Sequence, residues 1–185
     1  METRRPIRGH DSPLAPEVFR ALPRAPVHGV LDNLRSAFNV GSIFRTADAG
    51  RIAVVHLCGY TAAPPHGKLE RTALGTAESV PSRRHACASD AVDALRAEGA
   101  TIVSIEVVPE SVPYDAVAYP RPLALVVGNE ALGVSAAALA RSDIVVRIPM
   151  HGYKNSVNVG VAFGIVLFEV LRQWRAAGWS LPDAP

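Results

Sequence analysis

Cysteine is scarce in this 185-residue chain. Cys58 and Cys87 stand in no C-x-x-C pair and have no histidines at zinc-ligand spacing. That pattern argues against a disulfide framework or a metal site. It fits reduced thiols in a cytoplasmic protein. Long hydrophobic runs are also missing. The most apolar stretch, Val157–Val170, contains Asn158 and Glu169 and falls short of the roughly 20 residues a membrane span needs. A buried helix is expected there, and no membrane association. The N-terminal arginines are not followed by an apolar segment, so no secretory signal is expected. Nor is there a marked excess of one charge: 19 Lys and Arg face 17 Asp and Glu, for a net +2. This balance permits a nucleic-acid partner without demanding one. No G-x-G-x-x-G and no G-K-[ST] occurs, so dinucleotide and P-loop chemistry lack their fingerprints.

Hydrophobic residues make up 49% of the chain and charged residues 19%, a globular balance sufficient for a sizeable core. Residues 1–24 read as an N-terminal arm, rich in proline and arginine. Residues 25–176 read as a single domain and 177–185 as a tail. Val27–Leu31, Ile52–Cys58, Thr101–Val108, Leu123–Val127 and Ile144–Ile148 are rich in β-branched residues and read as strands. Several are apolar at consecutive positions, as strands covered on both faces are. Val40, Ile43, Phe44 and Ala47 keep the i, i+3, i+4, i+7 spacing of a helix. Ala91–Glu98, capped by Ser89 or Asp90, Ser135–Arg141 and Ser156–Arg175 read as further helices. The alternation predicts an α/β fold with a mostly parallel sheet and helices on both faces. Thr61–Ser82 shows little periodicity and reads as a long loop, with Lys68, Arg71, Arg83 and Arg84 around its second half.

Three segments carry chemistry. In the first, Asn33–Thr46, Asn39 suits the cap of a helix. Arg45 lies about 140° from Val40 around that helix, off its apolar face, and can reach a ligand at the strand ends. In the second, Leu123–Ser135, an apolar strand runs into Gly128, Asn129, Glu130 and then Gly133. Glycines at the carboxyl end of a strand let the backbone approach a ligand closely. In the third, Ile148–Glu169, Pro149 follows a strand and Asn155 or Ser156 suits the cap of the last helix. Asn158 falls in its first turn, among apolar neighbours, where its amide needs partners. This helix is apolar nearly all round and must be covered on several sides.

Read together, Asn39-x-Gly41-x-x-x-Arg45, Gly128-Asn129-Glu130-x-x-Gly133 and the Ile148-Pro149-Met150-x-Gly152-x-x-x-Ser156-x-Asn158-Val159 run resemble, in order, the three signature motifs of the SpoU (TrmH-like) ribose 2′-O-methyltransferases of the SPOUT superfamily. The resemblance covers about residues 26–175. It implies a C-terminal trefoil knot within the α/β sheet. It also implies S-adenosylmethionine (SAM) as cofactor, held near Gly128, Ile148, Met150, Ser156 and Val157. Arg45 matches the catalytic arginine, and Asn39, Glu130, Ser156 and Asn158 the other polar site residues. The expected partners are RNA and a second copy of the chain, with the last helix at the dimer contact. Arg45, Lys68, Arg71, Arg83 and Arg84 are the expected RNA contacts. The compact chain makes tRNA the expected substrate ahead of rRNA. A non-catalytic RNA-binding protein on the same fold is the other reading. Val157 stands where leucine is commoner in the family, and Gly160 where a small polar residue is.

Overall fold

The computed structural model describes residues 14–182. In chain order the elements are α1 (Pro16–Arg20), β1 (Ala25–Asp32), α2 (Ala37–Ala49), β2 (Ile52–Cys58), α3 (Gly67–Ala73), α4 (Thr76–Ser79), β3 (Ser82–His85), α5 (Ala88–Ala97), β4 (Thr101–Ile105), β5 (Val112–Pro113), β6 (Leu123–Val127), α6 (Ala136–Leu139), β7 (Ile144–Arg147) and α7 (Val159–Ala176). The seven strands form one sheet in the order β3-β2-β1-β6-β4-β7-β5, and every pairing is parallel. The expected α/β architecture is present. β6, in the middle, is buried at all five positions, because both of its faces are covered.

The two cores lie on opposite faces of the sheet. One contains Val40, Ile43 and Phe44 of α2 and Phe163, Leu167 and Val170 of α7. The other contains Ala91, Val92 and Leu95 of α5 and Ala138 of α6. The helices that follow the adjacent strands β1 and β6 therefore leave to opposite faces. Such a divergence opens a crevice at the carboxyl ends of the two strands, the usual ligand position in open α/β sheets.

Several boundaries differ from those expected. The strand expected over Thr101–Val108 stops at Ile105, and the one expected over Ile144–Ile148 stops at Arg147, ahead of Pro149. The expected loop at Thr61–Ser82 contains α3 and α4 and runs into β3. These helices are too short to show a period, and Leu74 and Gly75 between them take left-handed backbone angles (φ 49° and 88°). α3 nevertheless packs closely on α2: a Cβ on Gly41 would lie 2.3 Å from Thr72 Oγ1 and 2.4 Å from the Leu69 carbonyl oxygen. Caps were misplaced as well. Ser36, not Asn39, caps α2, its hydroxyl accepting from Asn39 N at 3.3 Å. Asn158, not Asn155 or Ser156, caps α7. Cys87 precedes α5 and offers no side-chain cap, so Ser89 and Asp90 lie inside that helix.

Within the expected arm, α1 is tied down by Arg20, whose Nε donates to the Glu78 carbonyl at 2.6 Å. Arg24 donates to the carbonyls of Ser79 and Ile52 at 2.6 and 3.2 Å. Arg4, Arg5 and Arg8 lie outside the described residues. In the tail, Trp179 stands edge-on to Trp174 of α7, with Arg121 over both rings.

A row of three imidazoles crosses β1, β2 and β3. His28 Nδ1 lies 3.1 Å from His56 Nε2, and His56 Nδ1 lies 2.8 Å from His85 Nε2. Burial, reinforced by His28, His85 and Arg83, pushes the His56 pKa down to about 3.

Candidate active site at the strand ends

A cavity of about 530 Å³ opens where the loops after β4, β6 and β7 meet the start of α7. Gly128, Glu130, Ile148, Met150, Ser156, Val157 and Asn158, all singled out from the sequence, line it. The loop after β6 is folded back on itself: Asn129 and Gly133 exchange backbone hydrogen bonds of 3.0 and 2.9 Å. This is why the glycines are there. A Cβ on Gly128 would lie 2.1 Å from Gly133 C and from Val134 N. Gly133 itself has φ 73°, and a Cβ there would lie 2.4 Å from Glu106 Oε2.

Asn39, Glu130 and Asn158 come together although they are 91 and 119 residues apart in pairs. Asn39 Nδ2 donates to Glu130 Oε1 at 2.7 Å, and Asn158 Nδ2 donates to Asn39 Oδ1 at 3.0 Å. Asn158 Oδ1 in turn accepts from Gly160 N and Val161 N at 2.9 and 3.4 Å. The amide at this helix start thus finds partners for both its oxygen and its nitrogen. Glu130 also accepts from Arg35 N and Ser36 N at 2.8 and 3.1 Å, so one carboxylate holds the entrance to α2. Desolvation acts to raise the Glu130 pKa, but these donors together outweigh it, and the net shift is downward.

Arg45 lies elsewhere. It is exposed on α2, six residues beyond Asn39, and does not line the cavity. Among the described residues it has no hydrogen-bond or ion-pair partner. Lys68 and Arg71 are exposed on α3, which packs against α2 beside it. Arg83 and Arg84 lie on the edge strand β3, and strand alternation sends them to opposite faces. None of these four lines the cavity.

Sequence reasoning missed four polar groups. Asn129 is buried; its Nδ2 donates to the Asn33 carbonyl and Tyr60 Oη at 2.8 and 2.6 Å, and its Oδ1 accepts from Ala131 N and Leu132 N. Asp32, also buried, accepts from Ser135 N at 2.8 Å and so ties the end of β1 to the loop after β6. Tyr60 presents an exposed ring beside them. Glu106 lines the cavity at the end of β4. A lone acid in an apolar strand was the available signal for Glu106, and the place of Asn129 in the second motif was the signal there.

Among the described residues no group of His, Cys, Asp and Glu is arranged to hold a metal, and no helix is long and apolar enough to cross a membrane.

A parallel α/β sheet with a glycine-shaped cavity at the carboxyl ends of β4, β6 and β7, edged by a fixed carboxylate-amide chain, defines a small-ligand-binding α/β protein. The model of the SpoU rRNA methylase family matches residues 26–168, and the chain belongs to that family. It is 34% identical over 141 residues to the 23S rRNA (guanosine(2553)-2'-O)-methyltransferase RlmP of Bacillus subtilis, covering 76% of this chain and 56% of that protein. It is 32% identical over 156 residues to the tRNA (guanosine(18)-2'-O)-methyltransferase of Escherichia coli K12, covering 83% of this chain and 66% of that protein. The chain thus spans less than two thirds of the length of both curated relatives. The AdoMet-bound rRNA methyltransferase from Sinorhizobium meliloti superposes with a TM-score of 0.75 at 30% identity, over 83% of this chain and 59% of that one.

Proposed function

We propose that this protein is a cytoplasmic, homodimeric methyltransferase that moves a methyl group from SAM to a ribose 2′-hydroxyl of RNA, tRNA ahead of rRNA. The observation that carries the reading is the convergence of seven motif positions on one cavity at the carboxyl ends of the strands. The proposal includes the trefoil knot of the family for the segment following β6.

The cavity fits the cofactor. Its volume falls within the roughly 300–1,000 Å³ of small-molecule sites. Ile105, Val127, Ile148 and Val157 supply apolar surface for a nucleobase, and the glycine-shaped loop at Gly128 supplies backbone groups. When bound, SAM supplies an already activated methyl group, so no metal is required. The chain must align the ribose oxygen and help it lose its proton.

Arg45 binds the phosphate next to the target ribose and stabilises negative charge developing on the 2′-oxygen. A guanidinium with a pKa above about 12 is not the base, so the proton leaves to a phosphate oxygen or water. Glu130 holds Asn39, and Asn39 holds Asn158, fixing α2 and α7 relative to each other around the ribose. Gly128, Ile148, Met150, Ser156 and Val157 hold the cofactor. Lys68 and Arg71, on the helix beside that of Arg45, contact phosphates further along the RNA, with Arg84 and Arg83 at the sheet edge.

The test is incubation of the protein with methyl-labelled SAM and, separately, total tRNA and total rRNA, followed by mapping of the modified nucleotide. Label in a 2′-O-methyl nucleotide of tRNA is expected. Label in rRNA alone corrects the substrate, and SAM binding without label in any RNA leaves the non-catalytic RNA-binding reading.

A further inference from the structure

Of the two acids that line the cavity, Glu106 keeps more of its hydrogen-bonding capacity free among the described residues. Glu130, the other, already receives three donors from Arg35, Ser36 and Asn39. Glu106 receives two. Val107 N donates to Oε1 at 2.9 Å and Val134 N to Oε2 at 2.8 Å. These donors come from the loops after β4 and β6, so the carboxylate is fixed in place from both sides. Each oxygen keeps a second acceptor site. No cation neutralises it: the described ion pairs do not include Glu106, and Arg147, which lines the same cavity, turns to Ser111 Oγ instead. A half-buried carboxylate without a cation partner is costly unless a ligand brings donors to it.

We propose that Glu106 receives the two ribose hydroxyls of the adenosyl cofactor, and so sets the site's selectivity for a ribonucleoside ligand. This rests on the SAM reading given above. The chemistry matches. A vicinal diol offers two adjacent O–H donors to the two oxygens of one carboxylate, the device by which an acid at a strand end reads ribose in dinucleotide-binding sheets. The α-ammonium group of such a cofactor is the other donor available to Glu106, and a ligand that lacks it separates the two. Gly133 belongs to the same arrangement, since a side chain there would displace the Glu106 carboxylate.

The experiment is calorimetric binding to the full chain, with wild type and Glu106→Gln, of four ligands. These are S-adenosylhomocysteine, its 2′-deoxy and 3′-deoxy analogues, and 5′-methylthioadenosine, which keeps the diol but has no amino-acid group. Hydrogen bonds to a charged group predict that loss of one hydroxyl weakens wild-type binding about tenfold to a hundredfold. Glu106→Gln weakens S-adenosylhomocysteine and 5′-methylthioadenosine by a similar factor, and the deoxy analogues much less. Equal losses for all four ligands reduce Glu106 to a brace for the Val134 loop and overturn the assignment. A loss confined to S-adenosylhomocysteine and its deoxy analogues places the ammonium group at Glu106, with the same consequence. Wild-type binding that ignores removal of either hydroxyl overturns it without reference to any variant. Wild type that binds none of the four overturns the cofactor reading, and this assignment with it.

Discussion

Arg45 and Asn39 lie on the same helix, and the fold treats them differently. Asn39 is bonded on both sides, to Glu130 and to Asn158, while Arg45 extends from α2 without a partner among the described residues. The first clamps Glu130 and Asn158 together, and the second is the cation proposed to meet an RNA phosphate. Arg45→Ala therefore lowers turnover at saturating RNA by about a hundredfold or more, the scale of losing one charge-stabilising donor. It leaves S-adenosylhomocysteine affinity within about twofold, because Arg45 does not line the cavity. Single-turnover methylation beside calorimetry separates the two quantities, and near-normal turnover removes Arg45 from the chemistry. The residue types at these positions were legible in the sequence, since each sits at a fixed place in a motif. Their mutual bonding was not. Asn39 read alone is a plausible cap, and only the fold brings Glu130 and Asn158 to it. Glu106 was hidden for a related reason: the strand around it was read three residues too long, which made it a strand residue and not a loop-end acid.

At the level of elements, long periodic segments were legible and short ones were not. α2, α5 and α7 carry enough turns to show which face is apolar, and β1, β2 and β6 enough β-branched residues. α3, α4 and the edge strand β3 have seven, four and four residues, and their order comes from neighbours: Leu69 and Ala73 buried against α2, and β3 paired to β2. The histidine row belongs to this scale, because it links β1, β2 and β3 side by side. His56 stays neutral in the folded sheet down to about pH 3, pushed there by burial first and then by His28, His85 and Arg83. In the unfolded chain it takes a proton near pH 6.5. Between those values the unfolded state binds more protons, so stability is complete above pH 6.5 and falls as the pH drops toward 3. His28, also lowered by burial, with Glu98 opposing and Arg83 assisting, adds in the same direction. The melting temperature of the wild type should thus fall by several degrees between pH 7 and pH 4.5. His56→Gln, which keeps a polar group between His28 and His85, should flatten that fall whatever it does to stability at pH 7. An unchanged slope in the variant means that other groups carry the acid sensitivity.

For the whole molecule, the order of strands and helices implied a parallel sheet, but nothing in the order said that α2 and α6 leave it on opposite faces. That divergence depends on long-range packing that no local pattern encodes. The last helix is expected from its apolar character to need cover on more than one side, and the chain itself buries one face of it. Phe163, Val166, Leu167, Val170 and Trp174 are buried against the sheet and α2. Val161 and Phe168, seven residues apart and so on one stripe of the opposite side, are 51% and 46% exposed. Phe38 at the start of α2 is 44% exposed. Large apolar side chains aligned on one helix face favour burial against another surface, and a twofold contact of α7 with its own copy satisfies this with one patch. Light scattering coupled to gel filtration should therefore return twice the chain mass for the wild type. The double variant Val161→Glu with Phe168→Glu should run as a monomer, because two carboxylates per subunit would be buried without partners in the contact. Its circular dichroism should be unchanged, since neither side chain belongs to the core. A monomeric wild type, or a double variant that stays dimeric, would show that α7 is not the contact.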